Sequence, residues 1–118
     1  MSERSDYIRL EAVLKYIEDI YTIINKHDTL DNTLNDMEGQ YALSMLLIQV
    51  AETINKITTE KIVLNLPKNE IISFRNRIVH NYEGTDWRIV KKIIIDSIPE
   101  LKNKINKIME YIENEPKQ

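Results

Sequence analysis

The chain contains no cysteine, which excludes disulfides, thiolate-held metals and a cysteine nucleophile and agrees with a reducing compartment. Glycine and proline are nearly absent, two and three in 118 residues. That is too few to turn a chain of many hairpins, so long helices are the natural result. No apolar run exceeds the four residues "MLLI", Met45 to Ile48, against the roughly 20 that cross a bilayer, so no transmembrane helix is expected. The opening "MSERSDY" is charged and is followed by an amphipathic pattern rather than a secretory apolar block, which predicts an intracellular, cytoplasmic protein. Also missing are the phosphate loops GxxxxGK(S/T) and GxGxxG, the HExxH and GxSxG motifs, and any clustered Asp/Glu suited to a two-metal nuclease.

What is present is one domain's worth of chain, 42% hydrophobic and 30% charged, read as a single helical domain over residues 1–113 with a frayed tail at 114–118. The net charge of −3 argues against a protein that coats nucleic acid generally, but it is unevenly spread. From Lys68 to Lys92 six basic residues (Lys68, Arg75, Arg77, Arg88, Lys91, Lys92) face three acidic ones (Glu70, Glu83, Asp86). This is the one basic segment of an acidic chain, and it suits a local phosphate site as well as a solvated charged face.

Helical periodicity predicts a first helix from Ser2 to about Lys26, carried by Ile8, Val13, Leu14, Ile17, Ile20, Tyr21 and Ile24. "HDTLDNTLND" reads as a loop with room for one short helical turn. A second helix runs from near Asp36 to Ile57, and "TTEKIVLNLP" is a connection, irregular rather than a strand because a lone strand would have no partner. A third helix starts around Pro67, which suits a first turn, and ends near Tyr82, before Gly84. Thr85 or Asp86 caps a fourth beginning at Trp87. Pro99 interrupts the run "KKIIIDSIPELKNKI", so Ser97 is expected to cap a fresh start or mark a kink before a last amphipathic stretch to Ile112. The predicted architecture is all-α, an antiparallel bundle of four or five helices.

Two of these helices carry polar residues in unusual places. On the third, Ile71, Ile72, Phe74, Ile78, Val79 and Tyr82 share a broad apolar face with Arg75 in its middle. A guanidinium there requires an acid or a polar cleft. His80 falls on the other side with Ser73 and Asn76, about 140° from Arg75, so a site shared by both lies at the helix edge or in a groove made with another helix or subunit. The second helix is apolar on two sides: Leu43, Leu46, Leu47, Val50, Ile54 and Ile57 on one, Tyr41, Met45 and Ile48 on the other. That doubling marks a central helix or an oligomer interface. Glu52, among the second group, is a candidate partner for Arg75. His27, at the end of helix one, is placed to meet terminal carbonyls and is assigned no function.

One histidine near arginines is enough for metal-independent RNA cleavage, in which the 2′-hydroxyl attacks the adjacent phosphodiester, histidine moves the proton and arginine holds the phosphate oxygens. Out of context, a capping histidine and a structural ion pair are the commoner meaning of such residues. The spacing R-x-x-x-x-H-x-Y, here Arg75, His80 and Tyr82 with Asn76 directly after the arginine, resembles the signature of HepT-like toxins of the HEPN superfamily. "ISFRNRIVHNY", then "DW", then "IIIDSIPELKNKI" resemble that family over roughly the last half of the chain. "ALSMLLIQVAETINKI" is similar to its second helix, acidic residue included. Asn81 departs from it, since a small residue such as glycine is frequent between the histidine and the tyrosine.

The resemblance implies an all-helical homodimer whose two motifs face each other across a cleft and cut RNA, the toxin of a two-gene toxin–antitoxin pair of type VII. It implies a catalytic set of Arg75 as phosphate clamp, His80 as proton-transfer residue and Asn76 as orienting group, with Arg77 contacting the RNA backbone. It needs no metal and no cofactor. It further implies an ATP-using nucleotidyltransferase antitoxin as partner, which transfers AMP to Tyr82. The alternative within the same resemblance is a non-catalytic helical module that binds a nucleotide or the partner protein.

Overall fold

The computed structural model describes residues 3–80 and 86–115. Seven α-helices are formed there: α1 (Glu3–Lys26), α2 (Leu30–Leu34), α3 (Met37–Asn55), α4 (Glu60–Val63), α5 (Lys68–His80), α6 (Trp87–Lys92) and α7 (Ile98–Glu113), with a π-helical turn, Ile93–Ser97, joining the last two. No strand occurs among the described residues, and none of the helices is long and apolar enough to cross a membrane. The protein is an all-α antiparallel bundle, 52 × 27 × 19 Å.

The core follows from the three- and four-residue spacing of aliphatic side chains. Leu10, Val13, Ile17 and Ile20 of α1 meet Leu43, Leu47, Val50 and Ile54 of α3, and α1 and α3 form the central pair. Ile71, Phe74 and Ile78 of α5 close one side against α3, and Ile98, Leu101 and Ile105 of α7 close the other against α1. Each such side chain taken fully from water contributes about 1.5–3 kcal/mol.

Side-chain caps fix where the helices begin. Thr29 accepts from the Asn32 amide of α2, Asp36 from the Gly39 amide of α3, and Asp86 from the Arg88 amide of α6, each satisfying an orphan donor. The α2–α3 corner is tight: a Cβ on Gly39 would sit 2.2 Å from the Thr33 carbonyl oxygen, so only glycine fits.

Two local expectations are corrected. The connection after α3 is not irregular, because Glu60–Val63 form one helical turn. The cause is tertiary: the fully buried carboxylate of Asp6, on α1, accepts from the Thr58 and Thr59 amides at 3.2 and 2.8 Å and from the Thr59 hydroxyl, while Ile62 drops into the core. Ser97 likewise does not cap a fresh helix. It lies in helical backbone, and its hydroxyl donates to Glu70 Oε1 at 3.1 Å. The chain passes from α6 to α7 through the π turn, closed by the Ile98 amide on the Ile93 carbonyl. The wider turn accommodates Pro99, whose missing N–H and bulky ring would break a regular helix.

Candidate active site

α5 positions most of the residues of interest. Ile71, Phe74 and Ile78 are buried, which turns the opposite side of the helix outward. Asn69, Ser73, Asn76 and His80 are exposed there. Their spacing of four, three and four places them in one polar track along the helix, with His80 at its C-terminal end.

Arg75 lies between track and core. Periodicity puts it in the middle of an apolar face, where it needs an acid or a polar cleft; in the fold it is half-exposed at the margin of the buried side, because its long stem carries the charged head to the rim of α3. There its Nε–H donates to Glu52 Oε1 at 2.8 Å, and an Nη–H donates to Asn76 Oδ1 at 3.3 Å. The side chains of Arg75 and Glu52 are 39% and 41% exposed, so the pair is solvated enough to avoid the penalty of a buried charge. It also leaves guanidinium N–H groups without a partner among the described residues.

Arg75 and His80 line two adjoining depressions rather than one. A concavity of about 250 Å³ is bounded by Ala51, Glu52, Asn55, Ile72, Arg75 and Asn76. A shallower one of about 470 Å³ is bounded by Asn69, Ile72, Ser73, Asn76, Arg77 and His80. Ile72 and Asn76 form the ridge between them. Asn76 therefore touches both halves, hydrogen-bonded to the guanidinium on one side and sharing a wall with the imidazole on the other. Helical spacing puts Ser73 with His80 and Asn76, and the three line one depression, whereas Asn69 and Asn55 were not singled out from sequence. Asn69 could have been found by extending the His80 face one turn further toward the start of the helix, whereas Asn55 needed the packing of α3 against α5.

The motif tyrosine, Tyr82, and its neighbour Asn81 lie outside the described residues. Among the described residues no group of three His, Asp or Glu side chains converges to hold a metal ion. His27 sits far along the chain from this site. Its Nδ1 faces the Ile23 carbonyl at 2.9 Å and its Nε2 faces Asp36 Oδ2 at 3.1 Å. Both nitrogens face acceptors, so the ring donates to both when it is doubly protonated. The hydrogen bond to Ile23, aided by Asp36, holds its pKa above the ordinary 6.5.

Near the site, α3 leaves an apolar surface open. Met37, Tyr41 and Met45, one turn apart, are each more than half exposed, and Val79 of α5 is partly so.

The family model described as "Ribonuclease HepT-like" matches residues 13–108. Two Methanocaldococcus jannaschii proteins that carry provisional RNase names are 27% and 26% identical to the chain. Each alignment covers 96% of this chain, and 94% and 98% of the two relatives. A Thermococcus cleftensis protein named "Probable ribonuclease HepT" is 27% identical over 79% of this chain and 92% of its own length. No solved structure matches the sequence significantly.

Proposed function

Because the chain belongs to the HepT-like ribonuclease family, we propose that it is a metal-independent endoribonuclease acting as the toxin of a type VII toxin–antitoxin pair. The observation that carries this reading is Arg75, anchored through Nε by Glu52 and joined through Asn76 to the depression that holds His80. RNA enters with its scissile phosphate over the Asn76 ridge. Arg75 receives the phosphate oxygens on its uncommitted N–H groups, where negative charge grows in the transition state. His80 takes the 2′-hydroxyl proton as that oxygen attacks phosphorus. The bond to the 5′-oxygen breaks, and a proton is returned to the leaving group, which yields a 2′,3′-cyclic phosphate and a 5′-hydroxyl. Asn76 orients the phosphate, and Arg77 contacts the backbone nearby.

The functional unit is a homodimer. Met37, Tyr41 and Met45 present more apolar surface than a lone helix keeps in water, and they continue toward the Glu52–Arg75 pair. A second copy seated on α3 and α5 brings its own Arg75 and His80 to the same cleft, which answers the division of the two residues between separate depressions in one chain. The antitoxin is an ATP-using nucleotidyltransferase. Its reaction joins the Tyr82 oxygen to the α-phosphorus of ATP, releases pyrophosphate and the phenolic proton, and leaves a bulky anion beside the phosphate clamp.

The decisive experiment incubates the purified protein with bulk RNA in EDTA and analyses the ends of the fragments. Cyclic phosphates that appear with the native protein and vanish in His80→Ala are expected. Fragments bearing 5′-phosphates, or activity that EDTA abolishes and magnesium restores, would replace this mechanism with water activation. Absence of cleavage of any RNA, together with tight binding of the nucleotidyltransferase, would instead identify a non-catalytic binding module.

A further inference from the structure

At the end of the bundle away from His80, α4 and α7 enclose a groove of about 530 Å³. Its floor is apolar, formed by Ile62, Ile108 and Ile112, and its rim carries Lys61, Lys104 and Lys107. Among the described residues no acidic one lines it, although the chain as a whole has net charge −3. Tyr111 and Leu64 stand at its mouth, 65% and 76% exposed. Lys107 has no ion-pair partner among the described residues. Among the described residues Lys104 is held by one exposed contact, with Glu100 one turn away, and such pairs are worth too little to resist a stronger anion. Lys61 is committed to Glu3 and Glu115 and ties the ends of α1 and α7 to α4.

The occupant must combine negative charge with a flat or apolar body. α4 is a single turn, about 6 Å of wall, whereas an amphipathic helix docking through positions i to i+7 needs about 10 Å of groove. No strand edge exists among the described residues to pair with an extended peptide. An exposed aromatic ring beside one unpaired lysine and one weakly held lysine is the combination that binds single-stranded nucleic acid: bases stack on the ring while phosphates meet the ammonium groups. Resting on the ribonuclease reading above, we propose that the α4–α7 groove is an accessory site for single-stranded RNA, with Tyr111 as the stacking platform and Lys104 and Lys107 as phosphate contacts. The groove adjoins the segment leading into α5, and His80 lies at the other end of that helix, about 18 Å along its axis. Only a strand long enough to span both uses the two together. The groove therefore tethers long substrates and leaves the chemical step alone.

The test compares a single-stranded RNA of about 16 nucleotides, at the upper end of usual site sizes, with a dinucleotide that fills only the cleavage site. Tyr111→Ala and the double variant Lys104→Ala/Lys107→Ala are compared with the native protein; all three positions are at the surface, and circular dichroism checks their folding. For the long strand KM rises about tenfold in Tyr111→Ala with kcat unchanged, while dinucleotide cleavage stays at the native rate. Binding of the long strand is also measured in a His80→Ala background. There the double variant lowers the slope of log Kd against log salt by about 1.4, or 0.7 for each lost phosphate contact. Native affinity and salt slope in both variants would overturn the proposal, as would equal losses on the long and short substrates. AMP bound in the groove as tightly as the strand would make it a free-nucleotide site, and displacement of the RNA by a poly-glutamate peptide at lower concentration would make it a protein-docking site; either result overturns it. If the native protein cleaves neither RNA, the ribonuclease reading fails, and the binding measurements alone still decide the groove.

Discussion

Replacing Glu52 by alanine separates positioning from stability at the candidate active site. Among the described residues the carboxylate has one hydrogen-bond partner, the Arg75 Nε–H at 2.8 Å, and both side chains are about two-fifths exposed. A pair so solvated contributes about 0.2–1 kcal/mol, so the melting temperature should fall by no more than about 5 °C. The consequence for cleavage is larger. Without its anchor the guanidinium samples other rotamers, and a displacement of about 1 Å in a phosphate clamp costs up to about 100-fold in rate. The lost carboxylate also removes a negative charge from the place where phosphate binds. The expected pattern is therefore a kcat reduced by about 10–100-fold with KM unchanged or lower, and substantial recovery in Glu52→Gln, whose amide oxygen still accepts from Nε–H. Initial rates on a fluorogenic RNA, paired with thermal melts of the same preparations, supply both quantities. A kcat within about twofold of native in Glu52→Ala would refute the positioning role. A collapse in stability with no recovery in the glutamine variant would make Glu52 a structural residue.

Removing the buried Asp6 carboxylate in Asp6→Ala leaves the Thr58 and Thr59 amides unpaired and should destabilise the fold by about 3 kcal/mol in chemical denaturation. Burial pushes the Asp6 carboxyl up, but its hydrogen bonds from Thr59, Thr58 and Arg9 together hold it below the ordinary 3.8. Its contribution is present above pH 3.8 and is lost as pH falls through the lower folded value, so the native protein should lose more stability on acidification than Asp6→Ala. His27 has the opposite sign, since its pKa is raised above 6.5. Its contribution is complete below 6.5 and disappears as pH rises through the folded value, and melts between pH 6 and 8 should show that decline in the native protein but not in His27→Gln. Gly39→Ala should cost about 1–3 kcal/mol by forcing the Thr33 carbonyl away from α3, although alanine raises helix propensity. A neutral or stabilising result in denaturant melts would show that the corner is looser than its 2.2 Å approach implies.

The sequence alone determined the helical class, because scarce glycine and proline and aliphatic residues three and four apart leave a chain few other ways to bury a core. It placed α1, α3 and α5 within a few residues of where they form, since Asp36 and Pro67 are strong local start signals, and it indicated that Arg75 and His80 leave their helix at different angles. Long-range contacts decided the rest. α4 is helical because Asp6, more than fifty positions earlier, receives the Thr58 and Thr59 amides that lead into it, and no local pattern encodes that. The junction before α7 is a π turn rather than a capped break, because continuous packing of Val90, Ile93, Ile94 and Ile98 outweighs the local preference of Ser97 and Pro99 to stop the helix. Arg75 looked buried by periodicity and is half-exposed in the fold, since periodicity fixes the direction of a Cα–Cβ bond and not the reach of a long, flexible side chain. Which acid meets that arginine, and which lysines surround Tyr111, depend on how helices distant in sequence come to lie side by side, and only the packed bundle settles that.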